Sequence, residues 1–444
     1  MKRRTGSVRL WAAAFWLLVW EGASLALAAT TGGRMLLLAS PVQALGRLLA
    51  LAGTAAFWQA VAFSSLRILG GFLLACALAA VLAPLAARFQ WVRDLLSPLV
   101  AVVKAVPVVS FIILALIFFS SENLSLLISA LMVFPPVYLN VLEGIGHTDR
   151  QLLEMARVFR VPVSRQLRGI YLPAVLPYFR SAVSLGLGLC WKSGAAAEVI
   201  GLPAGSIGEA LYTAKVYFQT GNCGPLRLDG GDRDGIGDIR AAVPPPGGRR
   251  SEKGGQLMEI AVKHLCKSFG GRTVLRDLTF TAGPGITAVM APSGTGKTTL
   301  LRILLGLERP DSGTVEGLAG KRLTAVFQED RLLEHLSAEG NLRFVLGRVY
   351  DPAAARALLD RLGLPDTGAQ PVREFSGGMK RRLALARALL APFDALALDE
   401  PFTGLDRENR DLALACIRET AGDRPVLLVT HDAADAAGSP VVTL

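Results

Sequence analysis

The segment with the clearest chemical potential is the glycine-rich run APSGTGKTT at residues 291–299. Glycines at this spacing let backbone N–H groups turn inward around phosphate oxygens, and a helix that follows directs its positive end at the same anion. Lys297 can then reach the β- and γ-phosphates of a nucleotide, and the Thr298 hydroxyl can ligate Mg²⁺. Ala291 stands where the pattern has its first glycine. An ordinary glycine-rich turn is the alternative interpretation.

Two further candidates follow an apolar stretch at residues 395–398, which ends in Asp399 and Glu400. If that stretch is a strand, Asp399 is placed to hold the magnesium shell and Glu400 to polarise an attacking water. A strand that ends in two acids is otherwise a solvated turn. His431 follows another apolar stretch, residues 426–429, and a lone histidine is usually structural.

A phosphate-binding loop requires a strand before it and a helix after it. Residues 275–281 and 286–290 are rich in β-branched and apolar side chains, which predicts two strands. Residues 300–305 continue from the loop as an apolar run of helical type. This context favours the phosphate-binding interpretation over the simple turn.

Across about residues 259–441 the order of these motifs resembles that of ABC ATPases. FSGGM at 375–379 is similar to their signature, whose commonest form is LSGGQ, and residues 401–406 are similar to their D-loop. Gln328 looks like the Q-loop glutamine, and His431 matches the switch histidine. The resemblance implies ATP and Mg²⁺ as cofactors and an α/β P-loop fold.

The resemblance also implies roles for individual residues. The catalytic residues are Glu400, His431 and Gln328. The Mg²⁺ ligands are Thr298, Gln328 and Asp399. The ATP-binding residues, including an aromatic that stacks on adenine, are Phe269, Ser293, Gly294, Thr295, Gly296, Lys297, Thr298 and Thr299. Ser376, Gly377 and Gly378 are expected to close over the ATP held by a second subunit, which requires a two-fold homodimer.

The first half of the chain has the composition of a membrane protein. The 444 residues are 52% hydrophobic, and the formal net charge of +11 suits cytoplasmic loops as well as it suits nucleic acid. Five spans are predicted, at residues 10–29, 63–85, 99–119, 124–141 and 175–200. A cleaved signal peptide is the alternative for the first span, and buried soluble helices are the alternative for all of them.

Basic residues predict the orientation of these spans. Lys2 and Arg9 flank the first span, Arg88 follows the second, and the segment 150–168 between the fourth and fifth contains five arginines. All of these segments should be cytoplasmic. The expected location is the bacterial cytoplasmic membrane, with the ATPase on the cytoplasmic side, membrane lipid around the spans and no nucleic-acid partner.

The cytoplasmic segment 150–173 resembles the EAA loop of bacterial ABC importer permeases, which forms short coupling helices that dock on the ATPase. The residues that carry the resemblance are Glu154, Ala156, Leu172 and Pro173. Arg160 replaces the usual glycine, so the turn is expected to be built differently. An amphipathic basic surface helix is the alternative.

Other segments are similar to permeases of the nitrate, sulfonate and taurine branch: KAVP at 104–107, FPP at 134–136 and WKSG to EVIG at 191–201. The resemblance covers about residues 36–220 and implies an extracytoplasmic solute-binding protein as partner. Lys192 and Glu198 lie at membrane depth, where charges either line a solute path or reach the interface.

The join between the two halves conflicts with this topology. Five spans from a cytoplasmic N-terminus leave the ATPase outside, where it finds no ATP. Residues 222–256 are rich in Gly, Pro, Asp and Arg where the family has one more span; a flexible linker is the simple interpretation. The hypothesis that restores the span is a reading-frame slip close to residues 221–225, because every aspartate codon read one base later encodes Ile, Met or Thr. Met258 would then be the start of a separate ATPase gene.

The predicted architecture is therefore a membrane all-α helical permease domain (residues 1–220), a polar linker (221–257) and an α/β P-loop ABC ATPase domain (258–444). The expected function is ATP-driven import of a small, anionic solute of the nitrate, sulfonate or taurine type. The alternatives are a frameshift-fused or inactive product, an ABC exporter, and a soluble ABC ATPase that acts on nucleic acid or ribosomes. The EAA-like loop disfavours the last two.

Overall fold

A computed structural model of the chain describes residues 10–30, 40–220, 258–292, 294–365, 367–432, 434–436 and 438–443. Ser293, the basic residues before Leu10 and the stretch 221–257 with its predicted frame slip lie outside the described residues. The chain forms two compact units. Among the described residues, those at 10–146 and 175–220 make the first, and those at 147–174 and 258–443 make the second. The predicted EAA-like loop thus belongs to the same unit as the ATPase residues.

The described residues of the first unit are helical. The helices of the chain as far as residue 220 are α1 (Leu10–Thr30), α2 (Pro41–Ala52), α3 (Ala55–Arg88), α4 (Gln90–Ala105), α5 (Val108–Phe118), α6 (Ser121–Gly146), α7 (Arg150–Val158), α8 (Val163–Gln166), a π-helical turn (Leu167–Tyr171), α9 (Leu172–Gly201) and α10 (Ile207–Thr220). Of these, α7, α8, the π-helical turn and the first residues of α9 lie in the second unit.

The helices correct one of the five predicted spans. Among the described residues, helices at Ala55–Arg88, Ser121–Gly146 and Val163–Gly201 are long and apolar enough to cross a membrane, as predicted for the second, fourth and fifth spans. The first predicted span, residues 10–29, lies within α1, a helix of 21 residues. The predicted third span, 99–119, is not one helix but α4 and α5, bent by 112°.

Pro107 accounts for the position of the bend. Proline has no backbone N–H and disfavours helical geometry at the residue before it. Val106 is accordingly extended, with φ −89° and ψ 135°, and caps the end of α4. Pro107 in turn becomes the N-cap of α5.

Small residues let α3 and α6 approach closely. Ala75, Ala79 and Ala83, one turn apart on α3, are fully buried. A Cβ atom on Gly71 would stand 2.3 Å from the Leu126 carbonyl oxygen, so only glycine fits there. Close backbone approach at small residues is the usual packing mode of membrane helices.

The second unit contains two sheets. Its strands are β1 (Ile260–Phe269), β2 (Arg272–Ala282), β3 (Gly285–Met290), β4 (Ser312–Glu316), β5 (Leu323–Val326), β6 (Ala395–Asp399), β7 (Pro425–Thr430) and β8 (Val441–Thr443). β2, β1 and β4 form an antiparallel sheet, and the second sheet has the parallel order β5-β6-β7-β3-β8. The strands predicted at 275–281, 286–290, 395–398 and 426–429 are confirmed as parts of β2, β3, β6 and β7.

The helices of the second half after residue 290 are α11 (Lys297–Leu304), α12 (Ala338–Leu346), α13 (Pro352–Arg361), α14 (Gly377–Leu390) and α15 (Arg407–Ala421). Of these, α11, α14 and α15 contact strands of the parallel sheet, whereas α12 and α13 pack on α14. The central strands β6 and β7 are buried along their whole length, because both faces of a parallel sheet are covered. The predicted fold class, a helical membrane domain followed by an α/β P-loop domain, is confirmed.

Candidate functional site

The predicted site residues of the second half follow four neighbouring parallel strands. The glycine-rich loop follows β3, Gln328 follows β5, Asp399 ends β6 and His431 follows β7. Because the carboxyl ends of parallel strands meet at one edge of a sheet, the topology brings these residues together. Residues up to 140 positions apart in the chain thus share one edge.

Two glycines shape the loop before α11. Gly294 and Gly296 have φ of 84° and 105°, in the left-handed region. A Cβ atom on Gly296 would lie 2.9 Å from Val274 Cγ1 and 3.0 Å from the Val274 carbonyl oxygen, so the loop runs against β2. Gly296 is the N-cap of α11, whose free N–H groups then face the loop.

Lys297 is buried and folds back over the loop. Its Nζ donates to the carbonyl oxygens of Ala291, at 2.5 Å, and Pro292, at 3.3 Å. Thr295 Oγ1 donates to the same Pro292 oxygen, at 2.7 Å. The ammonium is therefore held at the mouth of the loop by neutral carbonyls, which a phosphate oxygen can replace as its partners. Thr299 is half-buried on the first turn of α11.

The three predicted Mg²⁺ ligands line one cavity of about 210 Å³: Thr298, Gln328 and Asp399. Thr298 Oγ1 donates to Asp399 Oδ2 at 3.2 Å. A hydroxyl, an amide and a carboxylate are the hard oxygen donors that Mg²⁺ prefers, so the residues present fit this ion. Burial raises the pKa of Asp399 to about 6, and a bound cation would favour its charged form.

Glu400 and His431 are brought within reach of each other. His431 Nδ1 lies 3.2 Å from Glu400 Oε1, and the histidine side chain is 62% exposed. Glu400 has φ of 48°, an unusual value for a residue other than glycine. Its N–H donates to the Val429 carbonyl oxygen of β7, at 2.9 Å, which holds this strained backbone in place.

The signature residues begin α14. Ser376 is the N-cap and accepts from the Met379 N–H at 3.3 Å, while Gly377 and Gly378 open the helix. One turn on, Arg381 is buried and donates to the carbonyl oxygens of Phe327, at 2.7 Å, and Gln328, at 2.5 Å. The signature helix and the Q-loop are thereby joined. Sequence reasoning missed this role of Arg381; the basic run directly after FSGGM was the available signal.

Phe269 ends β1 beside a turn at Gly270 and Gly271. Its ring is 47% exposed, and Lys267 Nζ lies 5.0 Å from its centroid. An exposed ring in this position is free to stack on a planar base.

The EAA-like loop packs directly on the ATPase residues of its own unit. Asp149 caps α7 by accepting from the Gln151 N–H at 2.8 Å. Met155 and Ala156, in the middle of α7, are 1% and 0% exposed and belong to the same hydrophobic core as the parallel sheet. The loop is therefore docked by burial as well as by charge.

Glu154 is the charged contact of α7. Arg302 donates to both of its carboxylate oxygens, at 2.7 and 2.9 Å, and Arg331 donates to Oε2 at 2.9 Å. The hydrogen bond from Arg302 is the main cause that lowers the pKa of Glu154, and Arg331 adds to it. Arg302 lies on α11, and Arg331 lies three residues after Gln328.

The second part of the loop is held by residues that the sequence did not single out. Arg165 donates to the carbonyl oxygens of Phe344, at 2.6 Å, and Val345, at 3.1 Å. A Cβ atom on Gly169 would stand 2.5 Å from the Phe344 ring, so the π-helical turn lies against that side chain. Leu172, by contrast, is 55% exposed.

Two other EAA-like positions are placed as follows. Pro173 is half-buried and lines a cavity of about 550 Å³ beside α7. Arg160 was expected to build its turn differently from glycine, but its φ of 51° is the left-handed geometry that glycine favours. The Arg160 guanidinium also donates to the Lys321 carbonyl oxygen at 2.8 Å.

Comparison with known proteins matches both halves. Residues 68–223 match the family described as "Binding-protein-dependent transport system inner membrane component", and residues 275–403 match the family described as "ABC transporter".

Similar curated proteins match the second half. The aliphatic sulfonates import ATP-binding protein SsuB 1 of Paracoccus denitrificans is 40% identical over 183 residues, which is 40% of this chain and 74% of that protein. The corresponding protein of Corynebacterium glutamicum is 42% identical over 184 residues, 39% of this chain and 74% of that protein. The Fe(3+) ions import ATP-binding protein FbpC 2 of Rhodococcus jostii is 38% identical over 195 residues, 40% of this chain and 56% of that protein.

With a permease half, an ATP-binding half and this degree of identity, the chain belongs to the ABC transporters, as an inner-membrane importer permease joined to a domain that hydrolyses ATP to drive transport.

Proposed function

We propose that this transporter imports a small anionic solute of the nitrate, sulfonate or taurine type, delivered by an extracytoplasmic binding protein. The observation that carries the importer mechanism is the ion pair between Glu154 and Arg302, because it joins the EAA-like loop to the helix that begins at Lys297. The sulfonate import proteins among its relatives support an anionic substrate. Because Fe(3+) import proteins are also among its relatives, a metal cation is the competing substrate class.

In this proposal the nucleotide is held by the loop at 291–299. Its glycine N–H groups and Lys297 bind the phosphates, and Phe269 stacks on the base. Thr298, Asp399 and Gln328 would hold Mg²⁺, which would neutralise charge on the phosphate oxygens. Glu400 accepts a proton from the attacking water, and His431 holds that carboxylate in position.

A second copy of the chain completes each site. Ser376, Gly377 and Gly378 lie at the N-terminus of α14, where backbone N–H groups favour an anion. In a two-fold dimer they close over the phosphates bound by the partner. The dimer also supplies the two permease halves, with the ATPase halves on the cytoplasmic side. The same proposal divides the chain into a permease domain (residues 1–220), a linker (221–257) and an ATPase domain (258–444).

The substrate class is tested with the full chain in proteoliposomes, together with candidate extracytoplasmic binding proteins. We expect ATP-dependent uptake of labelled taurine, ethanesulfonate or nitrate, and no uptake of ferric iron. Glu400→Gln is the matched inactive control. If a binding protein stimulates ATP hydrolysis but only ferric iron is taken up, the anionic substrate class is wrong. The importer mechanism would then still stand.

The second candidate is a product fused by a frame slip, and the conflict between span number and ATPase side favours it. Among the described residues three helices are long and apolar enough to cross, the bent pair can form a fourth crossing, and α1, over the predicted first span, a fifth. The DNA sequence across codons 218–260 decides whether the reading frame has slipped. An open alternative frame of apolar codons that ends in basic residues supports the slip. An early stop or charged codons in mid-span contradicts it.

A further inference from the structure

The first unit contains a cavity of about 520 Å³ between α4, α6 and α9. This volume lies within the range of about 300–1,000 Å³ that is typical of small-molecule sites. Most of its wall is apolar, from residues such as Met132, Leu139 and Leu189. Its charged lining residues are two lysines from different helices, Lys104 and Lys192, and no carboxylate lines it.

Neither lysine is neutralised within the described part of the chain. Both side chains are exposed, and neither forms an ion pair with a described carboxylate. The one acidic residue near Lys192 on α9, Glu198, is fully buried and accepts from Ser64 Oγ at 2.7 Å and from the Gly208 N–H at 3.3 Å. Glu198 is therefore engaged by Ser64 and Gly208 and does not pair with Lys192.

The break between α4 and α5 adds to the positive character of this cavity. Lys104 lies in the last turn of α4, and Val108, the first residue of α5, is also a lining residue. The N-terminus of α5 therefore borders the cavity, and its free N–H groups carry partial positive charge. Discontinuous helices at membrane depth characteristically border solute sites for this reason.

Polar groups suitable for an oxyanion complete the wall. Asn140 donates through Nδ2 to the Pro136 carbonyl oxygen at 2.8 Å, which leaves its second amide hydrogen for another acceptor. Ser193 uses its hydroxyl hydrogen on the Leu189 carbonyl oxygen, at 2.8 Å, so the donors to a ligand are the lysines and the amide.

We propose that this cavity is an anion-binding site on the translocation path, in which Lys104 and Lys192 hold one small oxyanion or sulfonate. The proposal deepens the proposed import of an anion and rests on it for its physiological meaning. Charged side chains at membrane depth are costly unless they face water or a partner, and an anionic solute is the partner that two lysines and a helix N-terminus select.

The test measures the charge of the cavity in the full chain, in nanodiscs, without nucleotide. Met132→Cys is the reporter after the other cysteines are replaced by serine, and Leu139→Cys is a second reporter in case the first does not fold. Two thiol reagents of similar size are compared: 2-sulfonatoethyl methanethiosulfonate, itself a small sulfonate, and its trimethylammonio counterpart. The measured quantity is the ratio of the two labelling rates.

We expect the ratio of anionic to cationic labelling to fall about tenfold or more in Lys104→Met with Lys192→Met, since a charged cleft concentrates counter-ions by this order. Lys104→Arg with Lys192→Arg should preserve the ratio. Arg47→Met, which removes an exposed positive charge from α2, is the matched control and should leave it unchanged. Sodium ethanesulfonate should slow the labelling by both reagents in the unsubstituted background.

A ratio that the double methionine variant leaves within twofold overturns the site, as does labelling that ethanesulfonate does not slow. Because no ATP is used, the result is independent of pumping. A charged, ethanesulfonate-protected cavity together with failed anion uptake would reject the proposed import and keep the site. If anion uptake survives in the double methionine variant, the proposed binding site is wrong and the proposed import still stands.

Discussion

Glu154 on α7 forms a two-oxygen ion pair with Arg302 on α11, at 2.7 and 2.9 Å. Arg302 lies five residues after Lys297, on the helix that the phosphate-binding loop opens. If nucleotide binding or release displaces α11, we expect the displacement to be transmitted to α7 through this one carboxylate. Arg331, which follows the Q-loop, contacts the same carboxylate at 2.9 Å. Glu154 thus contacts two segments that we expect to respond to ATP.

Removal of this carboxylate should uncouple transport from hydrolysis. In Glu154→Ala we expect ATP-driven uptake to fall at least tenfold, because Arg302 loses its carboxylate partner and Arg331 keeps only Glu329. Nucleotide binding should stay within twofold. Glu339→Gln, which breaks an exposed pair with Arg343, is the matched control.

A charge-swapped double variant distinguishes the loss of this ion pair from a general folding defect. Glu154→Arg combined with Arg302→Glu restores the ion pair in reverse and should recover part of the uptake lost in Glu154→Arg alone. If the double variant is no better than the single one, the direct coupling of these two residues is wrong.

The same ion pair predicts a pH dependence of stability. The Arg302 hydrogen bond, and then Arg331, lower the pKa of Glu154 below its unfolded value, so its contribution is complete above the unfolded pKa of about 4.3. It is lost as the pH falls through the lower, folded pKa. The difference in thermal midpoint between the natural chain and Glu154→Gln should be constant from pH 6 to 8 and shrink below about pH 4.5. A difference that grows on acidification contradicts this assignment.

Glu400→Gln should abolish hydrolysis and retain nucleotide binding. The amide cannot accept a proton from water, and general-base catalysis contributes about 10²–10⁴-fold to a rate. We expect a loss of at least a hundredfold in steady-state hydrolysis, with ATP affinity within threefold. His431→Ala should lose rate as well, because the Glu400 carboxylate loses a neighbour at 3.2 Å. Glu408→Gln, an exposed acid on α15, is the control and should hydrolyse ATP normally.

The sequence predicted the nucleotide half more completely than the coupling loop, for a physical reason. The loop at 291–299, the acid pair and His431 lie at strand ends, so recognition of the strands places them. The contacts of Arg165 with Phe344 and of Gly169 with the same ring join residues about 175 positions apart, and local pattern has no bearing on such pairs.

The prediction of one continuous span at residues 99–119 was wrong for a related reason. Residues 99–119 are apolar apart from Lys104 and Ser110, and hydropathy averages over the backbone break at Val106 and Pro107. The role of Arg160 was likewise hidden, because a positive φ at an arginine is set by the packing around it and not by its own preference.

Arg160 offers a test of backbone strain. Arg160→Gly removes the steric cost of the left-handed geometry, whereas Arg160→Ala keeps most of it, and both remove the hydrogen bond to Lys321. The glycine variant should therefore be more stable than the alanine variant by about 1 kcal/mol. The measurement is the thermal midpoint of the full chain with each substitution. Equal midpoints would show that the turn is not strained.

Gly169 should be the most size-sensitive position of the loop. A Cβ atom there would lie 2.5 Å from Phe344 Cε2, so Gly169→Ala must displace the ring or the π-helical turn, at a cost of about 1–3 kcal/mol. We expect ATP-driven uptake to fall while nucleotide binding is retained, and the second change Phe344→Leu to restore part of the uptake by making room. Gly146→Ala is the matched control, because a Cβ atom there meets nothing within 4 Å. Uptake that is unchanged in Gly169→Ala, or a defect that Phe344→Leu does not relieve, would contradict the contact, since the added methyl group has no other described neighbour closer than Leu333, at 3.6 Å.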